Sequence, residues 1–325
     1  MNVQEALLQE TIDPTLNDAT LSSIASAALG ERVAVSGYEI LTGGCWNRVV
    51  GVAAGGRDLV IKISPHVSDQ KIIREFGVLQ MFERQTEMPV PAPLLLDAES
   101  LFTPGTLLVM NRIPGIVMHH CFGTLQGEQQ IRISDEIAQH VAELHKHRAF
   151  GFGGVELPVA ERYEEWSDFW LPRFDAVVDA VVDAVDASGT CPSELIEGAR
   201  AIRPQLRGLL QIGRQSTLTH YDIWSGNVMI DMGGETPHVS GFIDVPGHYA
   251  DYARELAFAM LFGIADRPFF RAYARHHELD AGFEARTAIY NLKMNLTHIQ
   301  MYPTEHYYRS GAAECLRTIE HSLNT

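Results

Sequence analysis

The sequence predicts an α+β fold in two lobes, a small antiparallel-sheet N-terminal lobe over residues 1–112 and a larger helical C-terminal lobe over residues 113–325. Two textures predict it. Between Val33 and Ile63 the chain runs in short alternating stretches broken by glycine, Val33–Leu41, Arg48–Ala53 and Asp58–Ile63, and that period of two is the mark of strands. Beyond Pro114-Gly115 the apolar residues recur at helical spacing, over 133–147, 166–185 and 194–210, and then in three or four further segments from Asp251 to Leu323. Length agrees, since 325 residues suffice for two cores.

Taken in order, residues 3–30 carry two helical patterns. The second opens after Asn17-Asp18, turns Leu21, Ile24, Ala25 and Leu29 to one face and stops at Gly30. The three strands of 33–63 follow. Asp69 then opens a helix with Ile72, Phe76, Leu79 and Phe82 inward. Pro89-Val-Pro-Ala-Pro leads into a further strand, and Thr106–Met110 reads as an apolar strand running out into a linker. Met110, Asn111 and Ile113 would form the hinge between lobes, where backbone groups could read an adenine edge.

Composition narrows the function. With 46% hydrophobic and 20% charged residues this is an ordinary globular chain. A formal charge of −16 argues against nucleic acid, whose phosphates need a basic footprint, and tolerates cationic small molecules as partners. Cys45, Cys121, Cys191 and Cys315 are far apart and form no metal-ligand or Cys-x-x-Cys spacing, so a reducing cytoplasm is expected. No signal-peptide pattern or membrane span is expected either.

The chemistry concentrates in His220-Tyr-Asp-Ile-Trp-Ser-Gly-Asn227, followed after a strand and a turn by Phe242-Ile243-Asp244. Such residues also serve as plain turn formers. An aspartate, an asparagine five residues on and a second aspartate at the next strand end nonetheless supply what phosphoryl transfer needs. One carboxylate receives the acceptor proton, and an amide and a second carboxylate hold Mg²⁺ on nucleotide phosphates. Asp222 would be the base, with Asn227 and Asp244 as the metal ligands. Upstream, the Gly43-Gly44 turn would let backbone amides approach phosphate. Cys45 in the same turn is either a redox handle shielded by bound nucleotide or a small apolar filler. Lys62, one of four lysines, lies within Leu-Val-Ile-Lys-Ile and must find an anionic partner. Glu75, on the helix thirteen residues later, is the candidate. His145 reads as a satisfied structural histidine. Trp224, two residues past the base, either faces the acceptor or packs under the loop.

Lys62, Glu75, the Met110 hinge, Leu144-His145, His220-x-Asp222-x-x-x-x-Asn227 and Ile243-Asp244 occur in an order that resembles the aminoglycoside phosphotransferase and choline kinase-like superfamily. The resemblance spans nearly the whole chain. It is nearest to the fructosamine (ketosamine-3) kinase family, through Asp222-Ile-Trp-Ser-Gly-Asn-Val, Glu255-Leu-Ala-Phe-Ala-Met-Leu-Phe-Gly, Phe269–Tyr273 and Tyr290-Asn-Leu-Lys-Met-Asn-Leu-Thr-His-Ile. It implies a protein-kinase-like fold, ATP and Mg²⁺ as cofactors, and transfer of the γ-phosphate to a hydroxyl of a sugar amine. An aminoglycoside-like or amino-alcohol acceptor is the alternative, and an inactive nucleotide-binding module is a second. Tyr221 stands where the family usually has glycine, Val245-Pro246 where Pro-Ala is usual, and Ala253 where an acidic residue is usual. These departures lie beside the acceptor pocket.

Overall fold

The computed structural model describes residues 16–41, 47–188, 191–234, 236–302 and 305–324, with backbone alone for 182–188. The chain divides into two compact units, Met1–Gly115 with Ser240–Val245, and Ile116–Val239 with Pro246–Thr325.

In the first unit, helix α1 (Asp18–Leu29) opens where Asn17 Oδ1 accepts from the N–H groups of Ala19 and Thr20, and closes on Gly30 at φ 70°. Its Leu21, Ile24 and Ala25 pack with Val50, Val52, Leu59, Ile61 and Val109 in one core. That core covers one face of a five-stranded sheet made of β1 (Val35–Leu41), β2 (Arg48–Ala54), β3 (Arg57–Ser64), β4 (Pro93–Asp97) and β5 (Thr106–Asn111). The order is β1-β2-β3-β5-β4, antiparallel throughout. Because side chains alternate along a strand, burying Leu59, Ile61 and Ile63 of β3 turns Lys62 to the opposite face. Helix α2 (Gln70–Gln85) starts at Asp69, whose carboxylate accepts from the Lys71 N–H, and buries Ile72, Val78, Leu79 and Phe82. Phe76, expected inward, is only half-buried, and Val78 takes its place in the core.

The second unit is mainly helical. Strand β6 (Ile116–Val117) leads to a single turn, α3 (Met118–Cys121), and then to α4 (Gly127–Leu144). Helix α4 begins six residues before the expected Ile133, because the Gln129 side chain caps the Gln126 N–H and sustains a polar first turn that has no apolar period to read. After β7 (Arg148–Phe150) and β8 (Gly153–Gly154) comes α5 (Trp166–Ser188), which runs through Pro172 as expected. The single helix expected over 194–210 is instead α6 (Ser193–Ile202), a 3₁₀ turn at Arg203–Gln205 and α7 (Leu206–Leu209). Pro204 lacks the N–H that would carry an α-helix through this point.

Strands β9 (Gln215–Thr219), β10 (Val228–Asp231), β11 (His238–Phe242) and β12 (His248–Ala250) follow, and β11 begins in the second unit and ends in the first. They form a three-stranded sheet β11-β10-β6 and a four-stranded sheet β7-β9-β12-β8. Helices α8 (Tyr252–Leu261), α9 (Arg267–Tyr273), α10 (Phe283–Met301) and α11 (His306–Asn324) complete the chain. A buried polar knot joins three helices. Asp251, the N-cap of α8, accepts from Arg286 Nε at 2.7 Å and from the Tyr290 hydroxyl at 2.6 Å, and Trp166 Nε1 donates to that hydroxyl at 2.7 Å. Among the described residues no helix is long and apolar enough to cross a membrane.

Gly105, before β5, sits at φ 107°, and a Cβ there would stand 1.9 Å from the Ser64 carbonyl oxygen at the end of β3. Gly105→Ala should therefore cost about 1–3 kcal/mol for the backbone conformation alone, before the overlap is relieved. A thermal melt checks this, and an unchanged Tm would contradict it.

Candidate active site

In the first unit the extended β3 backbone holds the Lys62 side chain with only 12% of it exposed, which would be costly for a lone ammonium. It is not alone. Lys62 Nζ donates to Glu75 Oε1 at 2.6 Å and to Asp244 Oδ1 at 2.7 Å. Burial pulls the ammonium pKa down, but the attraction of Glu75 and Asp244 outweighs it and the net shift is upward, so the lysine stays charged. Glu75 moves up, chiefly because it too is desolvated. Asp244 sits at φ 53° just past β11, with half of its side chain exposed and Oδ2 without a partner among the described residues.

The hinge residues have less backbone to offer than expected. The N–H of Asn111 donates to the Ala92 carbonyl and that of Arg112 to the Asp58 carbonyl. The Asn111 side chain accepts from the Ala92 N–H, and Met110 pairs with Val60 inside the sheet. Of the three residues named from sequence, Ile113 alone has a backbone N–H with no acceptor among the described residues. Gly43, Gly44 and Cys45 lie outside the described residues.

In the second unit the loop from His220 to Asn227 joins β9 to β10. Tyr221 has φ 80°, a conformation that suits glycine and strains a tyrosine. Its surroundings hold it there. The Tyr221 N–H donates to Glu255 Oε1 at 2.6 Å, its carbonyl accepts from Arg254, and its ring stacks on His248 at 4.0 Å with the Arg254 guanidinium 3.6 Å from the ring centroid. Asn227, 4% exposed, donates through Nδ2 to the Asp222 carbonyl and to Asp222 Oδ2, both at 2.9 Å, and so fixes the orientation of that carboxylate. Asn227 Oδ1 accepts from no described donor. The His119 N–H closes the far side of the loop on the Ser225 carbonyl at 2.9 Å. Trp224 is 36% exposed, and its ring lies over Gly226 so closely that a Cβ there would be 2.3 Å from it.

Glu255 is the hidden support. It is fully buried, and its other oxygen meets His145 Nε2 at 2.7 Å, while His145 Nδ1 meets the Tyr273 hydroxyl at 2.7 Å. Desolvation would raise the carboxyl pKa, but the hydrogen bond and charge of His145 outweigh it and the carboxyl is held below its usual value. From sequence, Glu255 is only the first residue of a family-like motif, with no role of its own. A carboxylate opening the apolar run Leu-Ala-Phe-Ala-Met-Leu is the available signal.

This is the architecture of a kinase-like phosphotransferase. A putative fructosamine-3-kinase from Haemophilus somnus has the same fold, with a TM-score of 0.67 and 16% identity over 92% of this chain and 96% of its own. An aminoglycoside phosphotransferase solved as a ternary complex with streptomycin and ATP gives a TM-score of 0.58 and 15% identity over 93% of this chain and 96% of its own. By sequence, the probable ketoamine kinase of Enterococcus faecium is 26% identical over 81% of this chain and 88% of its own. The chain belongs to the fructosamine kinase family, whose profile matches residues 17–322, and it is an ATP-dependent small-molecule kinase.

Removing one partner from the buried pair should be severe. Glu255→Ala is expected to destabilise by about 3–5 kcal/mol at neutral pH. Because the folded carboxyl is held below its unfolded pKa of about 4.3, its contribution is complete above that value and is lost as pH falls through the lower folded one. Denaturant unfolding at pH 7 and below about pH 4 should therefore show the penalty shrinking in acid. An equal penalty at both would be contrary to this account.

Proposed function

We propose that the chain phosphorylates a hydroxyl of a ketoamine, the adduct of a sugar with an amine, using ATP and Mg²⁺. The observation that carries the reading is Lys62, held between Glu75 and Asp244. A buried ammonium kept charged and aimed by two carboxylates is what a nucleotide's phosphates require. In this reading Lys62 binds those phosphates and Glu75 positions it. Gly43 and Gly44 cradle the phosphates, and Met110, Asn111 and Ile113 flank the adenine, with the N–H of Ile113, which has no acceptor among the described residues, as the donor.

Mg²⁺, when bound with ATP, neutralises charge on the phosphates. The residues fit it. Asp244 offers a carboxylate oxygen and Asn227 an amide oxygen, each without a partner among the described residues and both hard donors. No group of three or more His, Cys, Asp or Glu side chains among the described residues could hold a metal by itself, which suits an ion that arrives with its nucleotide. Asp222 is the base: its Oδ2 accepts from Asn227, which aims the carboxylate at the acceptor hydroxyl. Trp224 offers an exposed aromatic face for a sugar ring or an ammonium.

A coupled ADP assay against ketoamines, aminoglycosides and amino alcohols tests the reading. Turnover of ketoamines is expected, turnover confined to aminoglycosides or amino alcohols would select the other acceptor class, and no turnover would mark an inactive binder. Asp222→Asn should lower kcat by about 10²- to 10⁴-fold while leaving ATP binding in place. A variant with wild-type kcat would remove Asp222 as the base. Asp244→Ala should abolish the Mg²⁺ dependence of ATP binding, read by calorimetric titration with and without the metal; a metal dependence equal to that of the wild type would remove Asp244 as a ligand.

A further inference from the structure

In the second unit, helices α5, α8 and α10 and the loop residue Tyr221 line a small cleft. Trp170, Tyr221 and Tyr290 form aromatic walls, and Arg173, Arg254 and Lys293 supply three cations. In a chain of formal charge −16 this local excess of positive charge is unusual. None of the three makes an ion pair with a carboxylate among the described residues. Arg254 lies over the Tyr221 ring at 3.6 Å and donates to the Tyr221 carbonyl, and Arg173 lies over the Phe169 ring at 3.8 Å and donates to the Phe169 carbonyl. Both guanidiniums are thus anchored by neutral groups, with no carboxylate paired to either among the described residues. The Tyr290 hydroxyl is committed to Asp251, a carboxylate already paired with Arg286.

Lys293 completes the set. The residue is half-buried, and no described residue hydrogen-bonds to its ammonium. Burial first, and then the neighbouring Arg254 and Arg173, hold its pKa down to about 8. Crowding three like charges costs free energy, and a bound anion is the group that would recover it. The cleft is also tied to the reacting end of the site, because Tyr221 in its wall immediately precedes Asp222.

We propose that Arg173, Arg254 and Lys293 form an anion subsite for the acceptor, so that the preferred ketoamine carries a carboxylate or a phosphate. This inference rests on the ketoamine reading given above. It narrows the acceptor to two sources of the same chemistry: a sugar adduct of an amino acid, whose acid lies on the amine side, or an adduct of a sugar phosphate. The amine of either acceptor remains cationic, so a tolerance for cations at the protein surface and an anion subsite in the cleft are compatible.

Two substrate pairs separate the sources. Fructosyl-glycine is compared with fructosyl-glycinamide, and a ketoamine of a sugar phosphate with its unphosphorylated form, each made from a neutral amine. The wild type should favour the charged member of one pair by at least about tenfold in kcat/KM, through KM. In Lys293→Met that ratio should fall toward one, and Lys293→Arg should retain most of it, with thermal melts confirming that both variants fold. Ratios near one in both wild-type pairs, or a ratio kept in Lys293→Met, would overturn the subsite. If no ketoamine is turned over, the ketoamine reading fails by itself, and titration of inorganic phosphate into the ADP-saturated protein still decides the subsite. Phosphate binding lost in Lys293→Met supports it, and binding that is absent from the wild type or equal in both overturns it.

Discussion

A carboxylate without access to water has to be satisfied completely or not buried at all, and Glu255 sets the terms for the loop above it. One oxygen takes the Tyr221 N–H and the other takes His145, which is itself held by Tyr273. Arg254, the preceding residue on the same helix, takes the Tyr221 carbonyl. Both ends of one residue are therefore gripped by consecutive positions of α8. This grip sustains a left-handed tyrosine, and the strain is offset by a ring stacked between an imidazole and a guanidinium. Asp222 inherits its direction from that arrangement.

The first unit follows the same logic with the opposite charge. A lysine on the face of β3 opposite the core is tolerable because two carboxylates meet it. In both units a buried ion is aimed by its partners, so the functional group and the packing that orients it cannot be varied separately.

Much of this was legible in the sequence. Alternation exposed the three strands before residue 64, and Asn17 and Gly30 marked α1 at both ends, because these are local effects of side-chain period and capping. The apolar setting of Lys62 pointed to the anionic partner it meets in Glu75, and the Asp222–Asn227 spacing singled out two side chains that hydrogen-bond to each other. What escaped was not local. Arg173, Arg254 and Lys293 come from three helices and meet only through packing, so no window of sequence contains the cleft. Net charge is silent in the same way, since a total of −16 says nothing about where positive groups collect. The late start assigned to α4 and the unbroken helix over 194–210 failed for simpler reasons, a side-chain cap without an apolar period and the missing N–H of Pro204.

The membership of Ser240–Val245 in the first unit has a consequence for how the protein is made. During synthesis the chain up to Gly115 emerges first, yet the strand end that brings Asp244 to Lys62 is still to come. At roughly 5–20 residues per second the ribosome needs on the order of ten seconds to deliver it. For that interval Lys62 has one carboxylate in place of two, and the Pro89 carbonyl lacks the Phe242 N–H that donates to it. The N-terminal unit therefore cannot finish folding until Val245 has been made, and a fragment cut at its apparent boundary would lack part of its own structure.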